Sequence, residues 1–369
     1  MFMEGIMKCL SNLERLSYPA DLVMDLTTLY RYKGKDFYYE DVLKSEMNGI
    51  VKRTVERDTF YVGKILNLNV TENRTRLIIR KNANPRTKDE RVLANLKEVF
   101  TLIQEKGDEI ELTSNEFLYL AKRIFNEVME IDFSYEIVKY RENLLEEKKR
   151  VTKRKKLDEE LNLYRKLLTE KSIEPTQLIT NFYVDILHLD LYTSNNEFIA
   201  LLIMYCLLFR ERFNVFKYVS FFQMYFEKKQ QFDTTTVQAG YNWEQGFSQI
   251  APLNRLTIQV MIEAYDSVEA MTENYNFDKK IRKIDNVEAT ILKLGEVFTK
   301  EQIKNAHPSL SDSTINRALV SLKNQNKIRP NGTGRSATWV RLVPEEMMSN
   351  RMKQLTLFDI LMKDNEKEE

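Results

Sequence analysis

The sequence predicts a mainly α-helical fold that closes with a small mixed α/β unit and carries a minor β contribution in its N-terminal region. Three observations lead there. Chain breakers are few: the 369 residues include 10 glycines and 7 prolines, beside 43% hydrophobic and 30% charged residues. That is the balance of a globular helical chain with core enough for two or three units. Apolar residues recur at helical spacing over long stretches, as in Val92, Leu93, Leu96, Val99, Phe100 and Ile103. From about residue 281 the pattern shortens into brief apolar runs ending at a glycine-containing turn.

Composition also excludes function classes. The net charge of +1 gives no global pull toward nucleic acid or membrane, so such a role must come from a local patch. Cys9 and Cys206 lack paired spacing, and Cys206 lies inside an apolar run as a small core residue, which fits a reducing cytoplasm. With His188 and His307 as the other soft ligands, no metal site and no cofactor are expected. The run Phe198–Phe209 is too short for a bilayer and ends at "RER", so it reads as a buried helix and no membrane partner is expected.

Four regions follow in order: 1–95, 96–280, 281–342 and 343–369. In the first, "NLERLSYPADLVMDLTTLYRY" reads as helix, proline break, helix. "TFYVGKILNLNV" and "RLIIRK", separated by "TENRT", read as short strands because of their β-rich content. In the second, the stripe from Val92 ends near Gly107, and Ser114 is a candidate cap for "SNEFLYLAKRIFNEVM". "ENLLEEKKRVTKRKKLDEELNLYRKLLTEK" reads as a long solvated helix with i,i+4 ion pairs; its basic knot "KKRVTKRKK" is diluted by acidic neighbours. The core follows: helix, polar loop "HLDLYTSNNEF", buried helix, the link "NVFKYVSF", a helix, then the aromatic loop "YNWEQGFSQIAPL" and a long helix.

The polar loop with its flanks resembles the Fic family. Its members carry H-x-F-x-[D/E]-G-N-G-R-x-x-R between two core helices and transfer AMP from ATP to protein hydroxyls. The resemblance implies a Fic-like helical core over residues 96–280. It extends to "VLKSEMNGI", which is similar to the family's inhibitory segment S-S-x-I-E-G-I, with Ser45 and Gly49 in place. Here Lys44 stands at a serine position and Asn48 at the glutamate.

The family's chemistry is missing from the loop. Aligned on His188, Asp190 takes the aromatic position, Tyr192 the acid, Thr193, Ser194 and Asn195 the Gly-Asn-Gly, and Asn196 and Ile199 the arginines. Moved by one residue, Leu189 replaces the base, Leu191 the aromatic and Thr193 the acid. Ser194, Asn195 and Asn196 then replace Gly-Asn-Gly, and Glu197 and Ala200 the arginines. No glycine lies between Gly107 and Gly240, and no Lys or Arg between Lys171 and Arg210, while that second interval holds Glu174, Asp185, Asp190 and Glu197. A triphosphate needs backbone amides at a permissive turn together with cations. The loop, His188 to Glu197, therefore reads as a degenerate site. Asp185 and His188 share a helix face, which could orient a base; the plainer reading is that His188 caps a carbonyl or pairs with Asp185.

Residues 281–342 read as a winged helix-turn-helix. "NVEATILKLG" is a helix, "EVFT" a strand, Thr299 caps "KEQIKNA", and "STINRALVSLKNQNK" is a helix with Ile315, Leu319 and Leu322 inward. "KIRPNGTGRSATWVRL" is a hairpin with its tip at 331–334. From Lys300 to Arg341, eight Lys and Arg face only Glu301 and Asp312. Double-stranded DNA is the expected partner. Ser313, Thr314, Asn316 and Arg317 would meet base edges, Lys323, Lys327 and Arg329 phosphate, and Arg335 the minor groove. Dimerisation or domain packing is the alternative use of such a module.

In the tail, Gln354, Leu355, Thr356, Leu357 and Phe358 resemble a bacterial sliding-clamp binding peptide, Q-L-[S/D]-L-F; an amphipathic packing helix is the plainer reading. The function expected is a cytoplasmic, bacterial-type, Fic-like pseudoenzyme acting as a DNA-associated regulator or adaptor. The alternatives are a divergent Fic-type nucleotidyl or phosphoryl transferase modifying a protein, and an interaction scaffold without DNA. A homodimer and the clamp are further partner expectations.

Overall fold

Residues 9–15, 19–142, 145–278, 283–308, 310–332 and 338–342 are described by a computed structural model of the chain. Where the sequence suggested N-terminal strands, helices form. After a 3-10 turn at Leu10–Arg15 come α1 (Ala20–Lys33), α2 (Asp36–Leu43), α3 (Met47–Ile65) and α4 (Glu72–Lys81). "TFYVGKI" ends α3, and "RLIIRK" fills α4. The β-branched content misleads there because burial has helical spacing: Ile50, Thr54, Val55, Asp58, Thr59 and Val62 form one buried face. Thr54 and Thr59 return their hydroxyls to the carbonyls of Ile50 and Val55, so neither leaves a polar group open.

Next come α5 (Lys88–Lys106) and α6 (Ser114–Ile124). Thr87 caps α5 by accepting from the Glu90 amide. Thr113, not Ser114, caps α6; Ser114 is the first helical residue, is buried and accepts from Arg154. The β contribution lies further along, in β1 (Tyr135–Glu142) and β2 (Leu145–Thr152), antiparallel with Tyr135 opposite Thr152. The expected long charged helix is therefore shorter, α7 (Arg154–Glu170).

The core helices are α8 (Pro175–Leu189) and α9 (Asn196–Arg210). Pro175 opens α8, and the Glu174 carboxylate accepts from the Thr176 and Gln177 amides. Every residue of α9 from Phe198 to Phe209 is buried, Cys206 included. α5 meets this helix so closely that a Cβ on Gly107 would lie 2.6 Å from the Phe209 Cβ, which explains the glycine. The rest of this part is α10 (Phe221–Glu227), α11 (Lys229–Gly240) and α12 (Ala251–Asp278). No described helix is long and apolar enough to cross a membrane.

Contacts divide the chain into residues 1–269 and 270–369. The second unit contains α13 (Lys283–Lys293), β3 (Val297–Thr299), α14 (Lys300–Ala306), α15 (Asp312–Asn324), β4 (Ile328–Asn331) and β5 (Thr338–Arg341). Its strands order β3–β5–β4, all antiparallel. The element order is thus helix, strand, helix, helix, strand, strand. Its core gathers Val287, Ile291, Phe298, Ile303, Ile315, Leu319, Leu322 and Ile328. Thr299 forms a reciprocal capping box with Gln302.

Candidate functional site: the motif loop and the C-terminal unit

α8 ends with Asp190 in the left-handed region, at φ 49°, and its last carbonyls would be unpaired. Lys153, at the junction of β2 and α7, fills that need: its Nζ donates to the Leu189 carbonyl at 2.9 Å and the Asp190 carbonyl at 2.8 Å. Ser134 Oγ donates to the same Asp190 oxygen. The hairpin base then pairs with the loop as a short strand. The Ser134 amide donates to Leu191, the Thr193 amide donates to Asp132, and Phe133 bridges Tyr192. The Phe133 and Tyr192 rings stack at 5.3 Å.

The loop also closes on itself. Asn196 clasps Tyr192 from both sides, accepting from its amide and donating to its carbonyl, each at 2.7 Å. Ser194 and Asn195 turn toward the Met129 sulfur. Leu191 has no exposed surface whereas Asp190 is exposed, so the register that sets Leu191 at the aromatic position fits the burial better. Asn195 is left-handed at φ 55°, and α9 then starts with exposed Glu197 in its first turn. The amides of Tyr192 and Thr193 already have acceptors within the chain.

Residues 172–209 hold no Lys or Arg, yet Lys153 reaches the loop from outside that window. No local signal could have found this, because the contact depends on the hairpin. Four other cations of the knot meet partners nearby. Lys156 pairs with Glu136, Arg154 with Asp158, Lys155 with Glu159, and Arg150 lies 4.0 Å from the Tyr135 ring centre.

Asp185 and His188 do not make an acid-oriented base. Asp185 accepts from the Cys9 and Leu10 amides and from the Trp243 indole at 2.7 Å, which pins the 3-10 turn at Leu10–Arg15 to α8. His188 stacks on Trp243 with ring centres 5.0 Å apart, instead of capping a carbonyl or pairing with Asp185. A Cβ on Gly240 would lie 2.5 Å from its Nε2, so glycine is needed for that approach. Burial lowers the His188 pKa, opposed by the Asp185 charge. Beside them Glu160 is buried, with neither oxygen hydrogen-bonded among the described residues. Burial, then Asp185, pushes its pKa up to about 10.

The segment resembling the inhibitory motif is the junction of α2 and α3. Ser45 lies in the turn, where its Oγ donates to Glu46, and Asn48 and Gly49 are in the first turn of α3. The hydrogen bonds that frame the loop come instead from residues 129–134 and Lys153.

In the C-terminal unit, Ile315, Leu319 and Leu322 point inward as expected, and Ser313, Asn316, Arg317 and Lys323 are exposed, with Thr314 partly so. The basic residues fall into two groups. Lys304 pairs with Asp312, Lys327 with Glu288 at 2.5 Å, and Arg341 donates to the Leu292 carbonyl. Lys300, Arg317, Lys323 and Arg329 are exposed and have no ion-pair or hydrogen-bond partner among the described residues. Arg335 and the tail residues Gln354, Leu355, Leu357 and Phe358 lie outside the described residues. His307 is buried against Thr290. Among the described residues no three His, Cys, Asp or Glu side chains converge as metal ligands.

No family model and no curated protein matches the sequence. Solved structures do. A Fic family protein from Desulfovibrio desulfuricans superposes with a TM-score of 0.51 at 12% identity, covering 89% of this chain and 97% of that one. A Fic domain containing signaling protein from Bacteroides thetaiotaomicron superposes with a TM-score of 0.50 at 12% identity, covering 68% and 98%. The chain therefore has a Fic-like, mainly α fold. At this identity the likeness extends to the fold alone.

Proposed function

We propose that the protein is a Fic-like pseudoenzyme that works as a DNA-associated regulator or adaptor through its C-terminal winged helix. The observation that supports the first half is the motif loop, where the Tyr192 and Thr193 amides and the nearby Lys153 ammonium are engaged by their own chain. The second half is supported by α15, whose outward face carries Arg317 and Lys323 without partners among the described residues. Calorimetry of the full chain with ATP, CTP, GTP or UTP and magnesium should give no heat of binding. Fluorescence anisotropy with duplex DNA at low salt should give saturable binding.

One observation favours a divergent nucleotidyl or phosphoryl transferase: α9 starts without a side-chain cap. Nucleotide binding that is lost in Asn195→Ala would establish that rival. Failure to bind any duplex would leave a protein-interaction scaffold, including self-association. The clamp-like tail would add a second weak contact that sums with DNA binding through effective concentration. A peptide covering residues 350–365 should bind a bacterial sliding clamp and lose binding when Gln354 and Phe358 are both alanine.

A further inference from the structure

We infer that Val320 is a specificity-determining residue that reads the 5-methyl group of a thymine in the major groove. The inference rests on the DNA reading of α15 proposed above. It starts from an anomaly of that helix. α15 buries Ile315, Ala318, Leu319 and Leu322, while Asp312, Ser313, Asn316, Arg317, Val320, Lys323 and Asn324 are exposed. Among these exposed positions only Val320 is apolar, and it is 55% exposed. A β-branched residue is a poor choice for a solvated helix position on two counts. It restricts χ1 against the preceding turn, and it leaves apolar surface in water.

Its neighbours suggest what it faces. Ser313, Asn316, Arg317, Val320 and Asn324 are three or four residues apart and form one outward stripe. Asn and Arg are the side chains that match adenine and guanine by paired hydrogen bonds, and the thymine methyl is the apolar feature of the major groove that an aliphatic side chain can touch. Val320 lies three residues beyond Arg317. At about 1.5 Å per residue that is roughly 4.5 Å along the helix. Base steps are about 3.4 Å apart. The methyl group should therefore belong to a base pair within two steps of the one that Arg317 contacts. Arg317 has no partner of its own among the described residues, so its guanidinium is available to fix that register.

The test uses the full chain. A preferred duplex is first selected from a random library, and affinity is then measured by fluorescence anisotropy. Each thymine of that duplex is replaced in turn by deoxyuridine, which removes only the methyl group. One replacement, within two base pairs of the position relaxed by Arg317→Ala, should weaken binding about four-fold, the effect of one buried methyl. Val320→Ala should bind the thymine and deoxyuridine duplexes equally, and Val320→Thr, which keeps one methyl, should retain part of the discrimination. The inference is overturned if no deoxyuridine matters while Arg317→Ala still relaxes specificity. It is equally overturned if Val320→Ala weakens both duplexes alike, or changes the sedimentation coefficient, since Val320 would then be a contact between copies. Absence of any duplex binding is the separate result that would remove the DNA reading itself.

Discussion

Asp58 is fully buried on α3, where it accepts from Tyr205 Oη, Ser220 Oγ and the Phe222 amide. Burial outweighs those three donors and pushes its pKa up to about 7 from the ordinary 3.8. Glu160 has no such donors, and its value rises to about 10 from 4.5. For both groups the folded state holds its proton more tightly than the unfolded chain. The stability each contributes is therefore full below its unfolded value and falls as pH rises to its folded value. Asp58 acts between about pH 4 and 7, Glu160 from about 4.5 to 10. Urea unfolding should show stability falling from pH 5 to 7 by a few kcal/mol, at roughly 1.4 kcal/mol per unit per group. The decline should continue more weakly above pH 7. Glu160→Met should remove that alkaline part and stabilise by about 1–3 kcal/mol, since two buried oxygens would no longer lack donors. A variant less stable than the parent at pH 9 would mean that Glu160 has a partner when folded. Neither carboxyl announces itself in sequence, because burial is a property of packing: Asp58 and Glu160 sit on helices that carry several other charged residues.

The loop and the hairpin have to be considered together. Asn196 and Lys153 each satisfy two backbone groups of the loop, so each substitution should open it locally rather than unfold the chain. We expect Asn196→Ala and Lys153→Met to cost about 1–2 kcal/mol each. In hydrogen exchange the Tyr192 and Thr193 amides should lose protection first, with α9 unaffected. Unchanged protection at Tyr192 would show that the clasp is not what holds the loop. These elements also mark how far sequence reasoning reached. The succession of helix, loop, buried helix and link was legible because the apolar run of α9 is continuous and its flanks are polar. The capping of α14 by Thr299 was legible because a capping box is local. The hairpin was not, because the charge density of its second strand resembles a helix with ion pairs, and pairing between strands leaves no mark within either one. Helices α3 and α4 were misread for the opposite reason: β-branched residues dominate locally, but the buried face is set by packing on α5.

For the whole molecule, charge is nearly balanced at +1, and what matters is which cations are free to meet an anion. Counting Lys and Arg along residues 300–341 overstates the patch. Glu288 lies outside that window yet engages Lys327, while Lys304 and Arg341 are held by Asp312 and the Leu292 carbonyl. Lys300, Lys323 and Arg329 remain for phosphate, since Arg317 is assigned to a base edge. Each phosphate neutralised releases condensed counterions, and log K falls against log salt with a slope of about −0.9 per contact. Three contacts give a slope near −3, whereas adding Lys304, Lys327 and Arg341 would give about −5. Lys323→Ala should weaken every duplex alike and reduce the slope by about one. Lys327→Ala should do distinctly less, because its charge is already opposed by Glu288, and Glu288→Gln should strengthen binding by releasing it. Anisotropy titrations of the full chain across a series of salt concentrations measure all four quantities. A slope near −5, with Lys327→Ala as damaging as Lys323→Ala, would mean that DNA strips the Glu288 pair apart and the whole basic face engages.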